Sequence, residues 1–187
     1  MTRMLNRGNE ELIDATLRRL ELATGDRVLD VGFGGGLALS RAVREIGSGH
    51  VVGIDPSEDA VAQARRRFAD LIDSGRLQIR CTGVEGLDEE ATFDKIITTN
   101  TIYFWPRLDA AFAAMARALA PGGRLCVGFS GRRKMTRFDR ITRHGFHLHE
   151  DHAVADAAEA AGLDAELLEQ RGRRITGDFV LRATKPK

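Results

Sequence analysis

Two aspartates and a run of glycines carry the most specific chemistry in this 187-residue sequence. Asp30 heads the stretch Asp30-Val31-Gly32-Phe33-Gly34-Gly35-Gly36, a complete D-x-G-x-G-x-G spacing. Glycines let the backbone turn sharply and let a ligand approach bare main chain. A carboxylate at the head of that turn offers acceptors to a cation or to hydroxyls. Further on, Asp55 stands in Gly53-Ile54-Asp55-Pro56-Ser57. Its two oxygens can accept from two donors at once. An Asp before Pro-Ser also serves as an ordinary turn or helix-start residue, so its meaning depends on the element it ends. The glycines do not fit the dinucleotide fingerprint G-x-G-x-x-G. Counting from Gly32 places Leu37 on the third glycine, and counting from Gly34 places Leu39 there.

The elements that must position these residues alternate along the chain. Apolar spacing predicts a helix over residues 9–23, and the short apolar run 27–31, closed by glycines, predicts a buried strand. A helix over 37–46 follows, with Gly47 as its stop. Residues 50–55 form a second strand, which places Asp55 at a strand end, and Ser57 caps a helix carrying Ala60, Val61, Ala64, Phe68, Leu71 and Ile72 on one side. Strands over 77–81 and 93–100 come next, then a helix marked by Leu108, Ala111, Phe112, Met115 and Leu119. Pro121-Gly122-Gly123 breaks that helix before a strand over 124–129. An alanine-rich helix over 151–161 and strands near 165–170 and 177–183 complete the series. This order predicts an α/β fold: a Rossmann-like, doubly wound sheet of seven mostly parallel strands with helices on both faces. The loop between the last two strands is too short for a parallel crossover, so the final strand runs antiparallel. The chain reads as one domain over 24–187, preceded by an N-terminal helical extension over 1–23.

Composition is that of an ordinary globular protein: 43% hydrophobic, 29% charged, formal net charge +1. Such a balance supplies no global attraction to nucleic acid or to an anionic membrane. Cys81 and Cys126 lie in or beside apolar runs and read as reduced core residues, not as a disulfide framework. No stretch approaches the roughly 18 apolar residues of a membrane span, and none at the start reads as a signal peptide. A cytoplasmic protein without integral membrane association is expected.

With the elements placed, the glycine turn resembles the first motif of class I S-adenosylmethionine-dependent methyltransferases. The resemblance continues at Asp55, at Thr82-Gly83-Val84-Glu85-Gly86-Leu87, at Phe93-Asp94 with Ile96-Ile97-Thr98-Thr99-Asn100, and at Leu119-Ala120-Pro121-Gly122-Gly123-Arg124-Leu125. It covers roughly residues 25–130 and is similar to the ubiquinone-biosynthesis and phospholipid N-methyltransferase group of small-molecule enzymes. It implies S-adenosylmethionine as cofactor, with Asp30, Gly32, Phe33, Gly34 and Gly36 along the methionine and ribose, and Asp55 and Pro56 at the ribose. Gly83, Val84 and Glu85 would lie at the adenine, and Asn100 and Thr101 beneath the sulfonium. Many relatives have Asp or Asn where this chain has Gly83, so the Val84 amide or the Glu85 carboxylate must serve the base here. The implied reaction is in-line methyl transfer to a small-molecule acceptor at O, N or C, releasing S-adenosylhomocysteine. Positioning alone supplies much of such catalysis, so no catalytic base is assigned. The alternative is a partner subunit that binds the cofactor without turnover.

Tyr103 and Trp105, the one Tyr and the one Trp, follow the fourth strand, where open α/β sheets bind ligands, and are expected to line the acceptor pocket. The chain has no Asn/Asp-Pro-Pro-Tyr motif there, which makes a nucleic-acid substrate an unlikely one. Six cations between Gly131 and Arg143 suit an anionic acceptor or lipid surface, or are simply a solvated segment. His144, His147, His149 and His152 have spacings that invite a metal reading, but Gly145 interrupts the helix it needs and the reaction requires no metal. In relatives the N-terminal segment, here Met4-Leu5-Asn6-Arg7, often closes the site.

Overall fold

A computed structural model of the chain describes residues 2–136, 146–171 and 176–187, with side chains from residue 9 on and excluding residue 171. The elements follow the order α1 (Thr2–Leu20), β1 (Arg27–Val31), α2 (Leu37–Glu45), β2 (His50–Asp55), α3 (Glu58–Arg67), α4 (Ala69–Asp73) and β3 (Leu77–Cys81). They continue with β4 (Phe93–Thr99), α5 (Leu108–Ala118), β5 (Leu119–Ser130), α6 (Arg132–Met135), α7 (Asp151–Ala160), β6 (Asp164–Arg171) and β7 (Thr176–Thr184). Single 3-10 turns occupy Val84–Gly86 and Ile102–Phe104.

The seven strands form one sheet in the order β3-β2-β1-β4-β5-β7-β6. All neighbours are parallel up to β5, and β7 enters antiparallel between β5 and β6. The strand order reverses at β1 and β4, which opens a crevice at their carboxyl ends. Period-two alternation along the strands sends the two faces to different helices. Val28, Ile97, Cys126 and Val180 face α1, α2 and α3, while Leu29, Val31, Ile96, Leu125 and Leu181 face α5 and α7.

Four boundaries differ from the sequence expectation. The helix expected over 9–23 spans Thr2–Leu20, because the chain leaves helical geometry at Glu21, φ 53°. It buries Leu12, Ala15, Leu17 and Leu20 on the sheet, so this part of the extension belongs to the core. The helix expected over 57–72 is two helices, parted at Phe68 (φ −114°, ψ 24°), whose ring turns in beneath the glycine turn. Ser57 caps the first of them, accepting the Ala60 N–H at 3.3 Å. Finally, β5 begins at Leu119 and runs through Pro121-Gly122-Gly123, and Phe93 pairs with Leu119 across a register shift. Gly122 and Gly123 bond to Lys185 at 2.9 and 3.0 Å, so the residues read as a helix breaker are a strand edge tied to the chain's last segment.

Candidate functional site

β1 ends at Val31, and the Gly32 N–H donates to the Ile54 carbonyl of β2 at 2.7 Å, which turns the chain across the sheet edge. Gly32 has φ 71°, and a Cβ there would overlap the Thr101 methyl. That methyl is held in place by a contact between the Thr98 and Thr101 hydroxyls, with Thr98 also donating to the Val31 carbonyl at 2.8 Å. Gly36, φ 71°, stands at the start of α2, where a Cβ would meet the Phe68 ring at 2.8 Å. The left-handed backbone at both positions disfavours any other residue.

Asp55 organises the turn from the next strand. One of its oxygens accepts the Gly34 N–H at 2.8 Å and the other accepts the Ser57 N–H at 2.9 Å. The carboxylate is 7% exposed. Each oxygen keeps acceptor capacity for a ligand hydroxyl. Arg67 clasps the same loop from outside, donating to the Gly35 carbonyl at 2.9 Å with its guanidinium 5.0 Å from the Phe68 ring centre.

Asp30 is the more deeply buried of the two carboxyl groups. It lies on β1 facing α2, is 1% exposed, and its Oδ2 has no hydrogen-bond partner among the described residues. Burial first, and the nearby Asp55 carboxylate second, push its pKa up to about 8, opposed by the Leu39 backbone N–H. Below about pH 4 both the folded and unfolded chains hold this proton, and between about 4 and 8 only the folded chain does. The unfolded state thus binds fewer protons, and stability declines as pH rises across that window. Above it the contribution is lost in full. Urea denaturation from pH 5 to 9 will show this decline, with a slope of at most about 1.4 kcal/mol per pH unit. Asp30→Asn should flatten it, whereas an unaltered slope would assign the decline to other groups.

At the end of β4, Asn100 adopts φ 57°, and its N–H donates to the Gly128 carbonyl at 2.8 Å. Its side chain donates to Asn9 of α1 at 3.1 Å. In the loop after β3, the exposed Glu85 folds back so that its Cδ lies 2.6 Å from where a Cβ on Gly83 would be. Glu85 therefore fills the space that a side chain at 83 would take.

Tyr103 and Trp105 are buried, 4% and 8% exposed. The Tyr103 hydroxyl donates to the Ser130 carbonyl at 2.8 Å and accepts the Ser130 N–H at 2.6 Å. Burial raises its pKa well above the ordinary phenol range, so it is no base near neutral pH. Trp105 packs edge-on to Phe112 at 6.5 Å. The exposed large hydrophobic residue between them is Phe104, whose ring lies 5.0 Å from that of Phe146. Both aromatic residues singled out from the sequence thus frame the loop. Tyr103→Phe should cost about 1–3 kcal/mol, two buried hydrogen bonds' worth, measured as a lowered urea midpoint. An unchanged midpoint would show that the hydroxyl contributes nothing to this frame.

Of the basic stretch, Arg132 bonds to Asp151 and to the Leu148 carbonyl, and Lys134 pairs with the buried Asp178 at 2.6 Å. Arg137, Arg140, Arg143 and His144 lie outside the described residues. His149 contacts the Trp105 carbonyl at 2.9 Å, and the His147 backbone N–H donates to the Tyr103 carbonyl at 2.7 Å. These two histidines help to hold the aromatic loop.

Two contributors to the turn escape sequence reasoning: Arg67, and Phe68 in its place beneath Gly36. Arg67 is one of three successive arginines, and only the break at Phe68 directs it back to the loop. No spacing signal marks it.

A doubly wound sheet with a glycine turn and two inward carboxylates at its carboxyl edge defines an α/β protein with a nucleotide-type ligand site. Residues 28–123, just over half the chain, match the family model described as a methyltransferase domain, and the chain belongs to that family. It is 39% identical over 119 residues to the ubiquinone biosynthesis O-methyltransferase of Xanthomonas oryzae pv. oryzae, covering 63% of this chain and 48% of that protein. It is 29% identical over 120 residues to the uncharacterized methyltransferase YdaC of Bacillus subtilis, covering 64% of each. The chain thus spans less than two thirds of either relative's length. A chain from the complex of the Haloferax volcanii Trm112 methyltransferase activator with a methyltransferase superposes with a TM-score of 0.86 at 18% identity. That match covers 100% of this chain and 93% of the other, and it shows the fold. Among the described residues no helix is long and apolar enough to cross a membrane.

Family membership implies S-adenosylmethionine as methyl donor, and the residues present fit it. A buried carboxylate oxygen without a partner suits an ammonium, a second carboxylate bonded to the glycine turn suits hydroxyls, and Gly34 and Gly35, with open space where a Cβ would stand, leave the backbone bare beside them.

Proposed function

We propose that the domain transfers a methyl group from S-adenosylmethionine to a small-molecule acceptor. The observation that carries this reading is the pairing of Asp30 and Asp55 on one glycine turn, within a chain of the methyltransferase family. When bound, the cofactor supplies an electrophilic methyl on sulfur. Asp30 holds the ammonium of its methionine part, and Asp55 with the Pro56 backbone receives the ribose hydroxyls. The bare backbone of Gly32, Phe33, Gly34 and Gly36 lies along the ligand between these two anchors. Gly83 and Val84 flank the adenine, and Glu85 accepts from its amino group in place of a side chain at 83. Asn100 and Thr101 form the floor at the reacting end.

The chain's own contribution to rate is then mainly positioning and exclusion of water. Tyr103 and Trp105 stand in the wall of the acceptor pocket, and Phe104 presents the surface between them. An acceptor with an apolar body suits that surface, and the cations after β5 suit one that also carries an acidic group. The N-terminal segment, tied to the site by Asn9 and Asn100, closes over the ligand. Calorimetry with S-adenosylmethionine and S-adenosylhomocysteine tests the first half of this reading. A labelled-methyl screen over small phenols, amines and carboxylic acids tests the second. Binding of neither cofactor form defeats the proposal. Binding without transfer to any acceptor class supports a partner subunit.

A further inference from the structure

The glycine turn explains where a cofactor sits, but not why one carboxylate beside it is sealed from water without a cation. Asp30 is 1% exposed, and its Oδ2 has no partner among the described residues. The groups that face it are few. From β2 comes the like-charged Asp55, and from α2 the Leu39 backbone N–H. From β4 the residue beside it is the apolar Ile97, which offers no charge.

The cations nearby are engaged elsewhere. Arg41 of α2 pairs with Asp14 and Glu10 of α1, and Arg44 bonds to the Ser40 carbonyl. Arg67 is held by the Gly35 carbonyl, and Lys95 of β4 donates to the Leu20 carbonyl. A buried carboxylate with a second carboxylate close by and no counter-charge carries a proton.

We propose that the domain expels this Asp30 proton to solvent when it binds its methyl donor or the spent thioether product, the ligand's ammonium taking the proton's place. The inference rests on the cofactor reading given above. No covalent bond to carbon or sulfur changes. The carboxylic O–H gives its proton to the buffer, and the carboxylate then accepts from an N–H of the ammonium. The same substitution makes the site selective. A ligand that lacks the ammonium leaves Asp30 protonated and gains nothing from it. The direction of the Asp30 pKa, raised to about 8, sets the range in which the exchange is visible. From pH 6 to 7 nearly every empty domain holds the proton, and each unit of pH should tighten binding about tenfold. Through pH 8 the empty domain loses it, and by about pH 9 the dependence has levelled off.

The test is titration calorimetry of the whole chain with S-adenosylhomocysteine at pH 7, in phosphate and in Tris. These buffers differ widely in ionisation enthalpy, so the difference in observed heat counts protons. Release of close to one proton is expected, with none for 5′-methylthioadenosine, which keeps the nucleoside but has no ammonium. Asp30→Asn should abolish the release and flatten the pH dependence of Kd. The wild-type comparison of the two ligands decides the matter even if that variant does not fold. Binding without net proton release overturns this inference and leaves the cofactor reading standing, as does equal release with both ligands. Absence of binding at every pH overturns both.

Discussion

Asp55→Ala lowers affinity for S-adenosylhomocysteine by about 10²–10³-fold while leaving the domain folded. The carboxylate serves two structural donors, the Gly34 and Ser57 N–H groups, and keeps a lone pair on each oxygen for the ligand's vicinal hydroxyls. Hydrogen bonds to a charged group contribute about 1.5–3 kcal/mol each. Losing two of them at the lower end of that range amounts to ~3–4 kcal/mol, and every ~1.4 kcal/mol is tenfold in Kd. The folded state loses less. Ser57 is exposed, so water replaces its acceptor. Thermal unfolding of the free domain should shift little, while calorimetry records the loss of binding. An affinity within threefold of wild type would exclude Asp55 from the ligand contact. Asp55→Asn lies between the two. Its amide oxygen can replace only one carboxylate acceptor, and the weakened repulsion should also shrink any proton release from Asp30.

Gly32→Ala is expected to destabilise the domain by about 2–5 kcal/mol, the largest single-residue effect on stability in the glycine turn. Left-handed backbone at φ 71° costs a non-glycine residue ~1–2 kcal/mol. The new Cβ also overlaps the Thr101 methyl, and overpacking of this kind costs ~1–3 kcal/mol. Thr101 cannot swing away without breaking its contact with Thr98, which anchors the ends of β1 and β4 to one another. Thr101→Ser removes the offending methyl and keeps the hydroxyl. The double variant should therefore recover the packing part and leave the backbone part. A coupling of about 1–3 kcal/mol in a double-mutant cycle, read from urea midpoints, is the expected result. Strict additivity would show that the penalty is backbone strain alone.

Asp30, Gly32, Gly34, Gly36 and Asp55 were legible as a site because their meaning is local. A carboxylate, a turn and a strand end are each specified within a few residues, and the failed dinucleotide register is a matter of counting. Short apolar runs closed by glycines or turn residues marked the strands for the same reason. The short loop before the final strand was enough to set β7 antiparallel.

Tyr103 and Trp105 were legible only as chemistry-bearing residues at the right end of a strand. Trp105 packs on Phe112 of the next helix, and Tyr103 is tied to Ser130, 27 residues on, a partner that no spacing brings into view. The same holds for Arg67 and for the break at Phe68, which arises because that ring fills the space beneath Gly36.

The Asp30–Gly36 stretch thus identified a nucleotide-type turn and its first carboxylate from sequence alone, since glycine spacing is a property of the backbone. The state of that carboxylate was decided by tertiary structure. Only when β1 is covered by α2 and flanked by β2 does Asp30 lose water, meet Asp55 and find no cation, because desolvation and charge proximity exist only in the assembled sheet.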